Sequence, residues 1–330
     1  MNIARRLGKQ LVWVLCLYMP SGPALGQAAP HPEATRHYQV SAIPLKPSHL
    51  SNSGEVVGTT EDNRAATWSR KKGLRLLPVR GFSESEANSS NENGWTVGHA
   101  TTGGQTKAFV YQRGRLTMLE GKNSRALAVN DHGEIVGQSA VNGKIPVTAV
   151  VWQNGTPRDV GGCCGGIAKG INNAGQVIGD LYDEGGRYRA FLWERETGLK
   201  LIAPPNRYSS AIAINRAGRV LVQELEHGIF LVLGDDRRVT IEIPGHQPAD
   251  GRALNNADEV VGAFGPYFDA DRAFLWSQKS GFRDLNEMIP ANSGWKLQVA
   301  TGINDLGQIV GFGDYNGNDD VGFLLTKDDR

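Results

Sequence analysis

Seven copies of one glycine-centred motif run through the chain, and no other feature restricts its fold as much. They read NSGEVVG (52–58), ENGWTVG (92–98), DHGEIVG (131–137), NAGQVIG (173–179), RAGRVLV (216–222), NADEVVG (256–262) and DLGQIVG (305–311). Aligned on Gly54, Gly94, Gly133, Gly175, Gly218, Asp258 and Gly307, they are spaced 40, 39, 42, 43, 40 and 49 residues apart. A period of this size marks a supersecondary unit that buries its apolar surface only against copies of itself. The chain therefore reads as one repeat domain and not as two unrelated ones.

Within a unit, an apolar-alternating stretch ending in Asn, such as AVN (128–130) or GIN (170–172 and 302–304), enters a short turn with a glycine where positive φ is wanted. A β-branched pair and a second glycine follow, which makes a hairpin. Pairs such as Val56-Val57, Ile135-Val136 and Ile309-Val310 are apolar on both faces, as expected of a strand buried between two sheets. A third strand comes from AATW (65–68), AFVY (108–111), AVVW (149–152), AFLW (190–193), IFLV (229–232), AFLW (273–276) and GFLL (322–325). Trp68, Trp152, Trp193 and Trp276 recur there in register and read as core. A fourth strand follows a polar turn, as in GLRLLPV (73–79) and GLKLIAP (198–204). Four short strands per unit without a helical period predict an all-β fold, a seven-bladed β-propeller. A β-solenoid would use shorter rungs and leave open ends.

The seventh unit ends GFLLTKDDR without a fourth strand, whereas HYQVSAIPL (37–45) resembles a fourth strand with no first three. Pairing the two would close the ring and leave no sheet edge open at the seam. Ahead of it, Arg5, Arg6 and Lys9 precede an apolar run LVWVLCLYM (11–19) and small residues in ALGQAA, the pattern of a secretory signal. The expected organisation is a signal peptide over 1–28, a linker over 29–36 and a single repeat domain over 37–330. Loss of the signal removes three of the 35 basic residues and none of the 34 acidic ones, leaving 32 against 34 and a net charge of −2. No basic stripe for nucleic acid is present, and no later stretch reaches the ~20 apolar residues of a membrane span. An exported monomer, periplasmic or extracellular, is the expectation.

These residues resemble the HAF repeats, named for a His-Ala-Phe stretch in the third strand. The resemblance covers 38–326 and is most specific in DLNEMIPANSGWKLQVATGINDLGQIVGFGDYNGNDDVGFLLT (284–326), which looks like that family's characteristic last repeat and accounts for the spacing of 49. The namesake His is replaced by Lys107, Arg189 and Arg272, the fifth repeat has Val222 for its second glycine, and the sixth has Asp258 for its first. The resemblance implies a bacterial exported propeller-like protein and supplies no general catalytic motif. Some members end in a sorting tail; the KDDR end here implies release.

Loops from the second to the third strand share one end of a propeller with loops from the fourth strand to the next first strand, and that funnel face usually carries the site. Candidate binding residues placed there are Cys163, Cys164, Arg187, Tyr208, His246, Tyr267 and Trp295, with Tyr188 beside them. Exposed aromatic faces stack on sugars or peptide side chains; blade-to-blade packing is the alternative use. Lys107, Arg189 and Arg272 are read as capping a carbonyl or pairing with an acid such as Asp183 or Asp269; a ligand-facing ring of cations is the alternative. GDYNGNDD (313–320) alternates oxygen side chains, yet it lacks the Glu of a calcium loop and reads as a solvated turn. His246 precedes Asp250 by four residues in a Pro/Gly loop that guarantees no contact. With dispersed histidines and no HExxH or GxSxG, neither a catalytic residue, a cofactor nor a metal is assigned.

GGCCGG (161–166) falls between the fourth strand of the third unit and the first of the fourth. Cys163 and Cys164 are the only cysteines after the signal, too few for a zinc or iron–sulfur site. A vicinal disulfide, free thiols or intermolecular bridges remain, and export favours oxidation. The functional expectation is a binding scaffold for a protein, peptide or glycan; the alternative is an extracellular polysaccharide hydrolase or lyase with its site on the funnel face.

Overall fold

The computed structural model describes residues 38–141, 147–234, 237–266 and 271–328. Residues 1–28 and 29–36, expected to be a signal peptide and a linker, and Tyr267 and Asp269 lie outside them. The chain forms seven four-stranded antiparallel sheets, the blades, six of them each from a single repeat. Blade 4 shows the pattern: Gly166–Ile171 innermost, then Val177–Tyr182, Tyr188–Glu194 and Gly198–Leu201 at the rim. Blade 7 takes three strands from the last repeat, Trp295–Ile303, Ile309–Tyr315 and Asn318–Lys327. Its outer strand is Tyr38–Ile43, which pairs from Tyr38↔Lys327 to Ile43↔Gly322. The two incomplete ends of the sequence thus make one blade and close the ring, as expected. The insert ahead of blade 7 folds a 3₁₀ turn, Leu285–Glu287, capped by the Asp284 side chain on Asn286 N–H.

Both glycines of the motif have a steric cause. In blade 4 Asn172 and Gln176 close the turn, and Gly175 takes φ 77°. Asp258 adopts the same left-handed conformation in blade 6 at φ 60°, where its carboxylate pairs with Arg219 and accepts from Asn215 Nδ2. An Asp tolerates this region better than most residues. The second glycine faces a bulge in the inner strand: a Cβ on Gly179 would lie 2.0 Å from the Ile167 carbonyl oxygen, opposite the register shift between Ala168 and Gly170. Blade 5 keeps its shift, between Ala211 and Ala213, with Val222 facing it.

The core lies between blades. Val136, Val151 and Val160 of blade 3 pack on Ala168, Val177 and Phe191 of blade 4. Phe109, Phe191, Phe274 and Phe323 occupy one repeat position and are fully buried; each such burial is worth roughly 1.5–3 kcal/mol. Trp152 and Trp276 are buried, while Trp68 and Trp193 pack on the core partly exposed. Among the described residues no helix is long and apolar enough to cross a membrane.

Candidate functional site

The two ends of the propeller differ in character. At the end formed by the inner-to-second-strand turns, the channel holds a cavity of about 200 Å³ lined by Asn91, Asn130, Asn172, Asn215, Asn255 and Asn304. These six side chains form a collar. Each donates Nδ2 to the carbonyl of its counterpart in the next blade, from Asn91→Asn130 (2.8 Å) through Asn255→Asn304 (3.1 Å), and Asn304 reaches Ser51 (3.0 Å). Their Oδ1 atoms are occupied by their own turns, as where Asn172 accepts from Ala174 and Gln176 N–H. A second tier joins the following residues: Glu92 N–H donates to Asp131, Asp131 N–H to Asn173, Asn256 N–H to Asp305 and Asp305 N–H to Asn52. The collar's polar groups are spent on tying blades together. Sequence reading saw only that strands end in Asn; recurrence of the residue in six units is the signal that could have found the collar.

The opposite end carries most of the predicted residues. Cys163 and Cys164 are joined in a disulfide in the loop between blades 3 and 4. Cys163 Sγ lies 3.8 Å from the Tyr182 carbonyl oxygen, a contact and not a hydrogen bond, since a disulfide sulfur has no proton to give. Tyr182 and Tyr188 face one another in register across the hairpin of blade 4. Tyr208, from the next loop, sets its ring 5.2 Å from that of Tyr188 at 57°. Arg187 at the hairpin tip donates Nε to Asp183 Oδ2 at 3.0 Å, and Asp183 also receives N–H groups of Gly185 and Arg187. These contacts hold the Asp183 carboxyl below its ordinary range, with the Arg187 N–H bond the largest cause. The disulfide, Arg187 and Tyr208 are thus gathered around one hairpin, together with Tyr182, which sequence reading did not single out.

Beneath the tyrosines lies a polar seam. Lys169 Nζ meets Asp180 Oδ2 at 2.5 Å and Ser210 Oγ at 2.6 Å, and Asp180 Oδ1 accepts Ala211 N–H at 3.0 Å. Burial pushes the Asp180 carboxyl up, and Lys169 pulls it back in part. Burial likewise raises Asp250, which Arg252 and Lys169 oppose. Tyr188 is raised by burial and then by the charge of Asp180. Glu224, fully buried at its side chain, is held by Arg207 at 2.8 Å and by Arg238. Each of these carboxylates has a cation, so none stands ready as a general base.

The other candidates lie elsewhere. His246 ends an exposed 3₁₀ turn, Pro244–His246, while Asp250 pairs with Arg252. Trp295 stacks on Tyr315 at 4.6 Å and meets Phe323 edge-on at 6.1 Å inside blade 7. Arg189 caps the carbonyls of Ala203 and Pro204, both at 3.3 Å, whereas Arg272 pairs with Asp284. In 313–320 Asn316 and Gly317 are the hairpin turn, Asp314 accepts from Gln298, and Asp320 pairs with Lys46 at 2.6 Å. Among the described residues no three His, Cys, Asp or Glu side chains converge as they would on a metal ion.

No family model matches the chain and no curated protein resembles it in sequence. Solved structures do resemble it in shape. YCF48 bound to D1 peptide is 11% identical with a TM-score of 0.57, covering 91% of this chain and 100% of that one. The β-propeller domain of the Trilobed protease from Pyrococcus furiosus, with an open velcro topology, is 10% identical with a TM-score of 0.59, over 89% and 97%. The WD40 β-propeller domain of Doa1 is 11% identical with a TM-score of 0.50, over 89% and 98%. At such identities the likeness is one of fold. The chain is a seven-bladed β-propeller whose ring, unlike an open one, is closed by strand pairing.

Proposed function

We propose that this protein is an exported, non-enzymatic binding scaffold of the HAF-repeat kind, which presents the blade 4 end of its funnel face to a peptide, protein or glycan. One observation carries the reading: Tyr182, Tyr188 and Tyr208 converge beside the Cys163–Cys164 rim and the Arg187–Asp183 pair. Tyrosine offers a large, rigid, amphipathic contact at little entropic cost, and a neighbouring Arg adds directed donors. Pairing of Asp180, Asp183 and Glu224 with cations favours binding over acid–base chemistry. Peptide recognition by one fold neighbour is consistent with such a use of the architecture.

Peptide and glycan arrays probed with the protein lacking residues 1–28 test this. The expected result is a ligand lost on Tyr182→Ala/Tyr208→Ala and kept on Asp131→Ala at the collar end. A ligand lost only with the collar variant contradicts the reading. Export is checked by intact mass of the protein recovered outside the cytoplasm, expected to start near residue 29; retention of residue 1 contradicts it.

A further inference from the structure

We infer that the tyrosine and disulfide surface of blade 4 is a subsite for an uncharged carbohydrate, a β-linked chain of hexopyranoses with all substituents equatorial. The inference rests on the binding role proposed above and names its ligand class.

Tyr182 (47% exposed) and Tyr208 (38%) are exposed at this end, whereas the exposed leucines lie elsewhere, Leu74, Leu76, Leu199 and Leu201 on outer strands and Leu306 at the collar end. Tyr182, Tyr188 and Tyr208 belong to one hairpin and the loop leaving its blade, next to the disulfide, and form one contact surface. Its composition points away from a protein anchor. The exposed apolar groups at the funnel end are phenol rings and a disulfide, flat and polarisable surfaces that suit C–H contacts. Glycines 161, 162, 165 and 166 flank the sulfurs, so the rim carries no other side chain to cover them. An all-equatorial pyranose presents axial C–H groups on both faces and hydroxyls around its edge. Its faces match Tyr208, Tyr182 and the sulfurs, and its hydroxyls match the Arg187–Asp183 pair, which offers donors and acceptors side by side.

Backbone and charge select in the same direction. A peptide adding itself as a strand needs an unpaired edge, but the strands that carry the tyrosines, Val177–Tyr182 and Tyr188–Glu194, are each hydrogen-bonded on both sides, and the blade's outer edge is the rim strand Gly198–Leu201. Asp180, Asp183 and Glu224 are tied to Lys169, Arg187 and Arg207. A surface whose charges cancel locally favours a neutral ligand over a polyanion.

Calorimetric titration of the protein lacking residues 1–28 with cellohexaose and chitohexaose tests the assignment, with maltohexaose and hexagalacturonate as comparisons. Binding is expected for at least one β-linked hexasaccharide and weaker or none for the comparisons. Tyr208→Ala and Tyr182→Ala should each weaken it about five- to tenfold, and Cys163→Ser/Cys164→Ser severalfold, with the circular dichroism of all three unchanged. Binding that none of these variants alters overturns the inference, as does preference for hexagalacturonate. If both β-linked sugars fail while an array peptide binds through the same tyrosines, the carbohydrate assignment falls and the binding face stands. If no array ligand depends on the tyrosines, both fall.

Discussion

His49 and His99 sit in the propeller where water reaches them poorly, His49 beside Ser90 N–H (3.4 Å) and His99 beside Asn88 Nδ2 (3.2 Å). Burial lowers His49 from 6.5 to about 4, and burial followed by the Arg125 charge lowers His99 to about 4. Between pH 6.5 and 4 the unfolded chain therefore binds more protons, so the stability these imidazoles support is complete above pH 6.5 and is lost as pH falls toward 4. The loss is roughly 3 kcal/mol for each. Urea melts at pH 7.5 and 4.5 should show it, and His49→Gln/His99→Gln should flatten the difference. Asp180 and Asp250, raised by burial, act in the opposite sense, so the comparison with the double variant isolates the histidines. At Gly179 a methyl group meets the Ile167 carbonyl, and Gly179→Ala should cost about 2–3 kcal/mol. Intact mass of non-reduced protein should lack two hydrogens for Cys163–Cys164; a full complement contradicts the disulfide. The motif glycines were legible as turn and strand punctuation because φ and alternation are local. The close approach behind the second glycine was not, because it depends on a bulge in a different strand.

Strands and turns carry the closure of the ring. Deleting residues 38–43 removes the outer strand of blade 7 and the buried Tyr38 and Ile43. The expected loss is on the order of 5 kcal/mol, with less cooperative melting; an unchanged melt contradicts the seam. In the collar, Asn172 Nδ2 bonds Gln176 and Asn215 while its Oδ1 takes two amides. Asn172→Ala leaves several of these unpaired and should cost about 2–4 kcal/mol. Strand existence and order were legible throughout, since seven imperfect copies average out local ambiguity: IFLV identifies the third strand of blade 5 despite the missing glycine. The collar was less legible, because hydrogen bonds between blades link residues about 40 positions apart. Arg272 shows the same limit, since its partner Asp284 is brought to it only by the pairing of two strands of blade 6.

For the whole molecule, closure gives two unlike ends, one consumed by its own hydrogen bonds and one carrying exposed tyrosines around blade 4. Sequence placed Cys163, Arg187 and Tyr208 on the same end because blade topology alone decides it. It could not say that they converge, since their loops meet only through the geometry between blades 3, 4 and 5. Trp295 looked equivalent in sequence but is turned onto Tyr315 and Phe323. Which end receives the ligand is therefore the central claim. Hydrogen exchange of the protein with and without its strongest array ligand tests it directly: slowed exchange across 182–188 and 203–209 is predicted, and slowing confined to the turns at 130–133, 172–175 and 215–218 would contradict it.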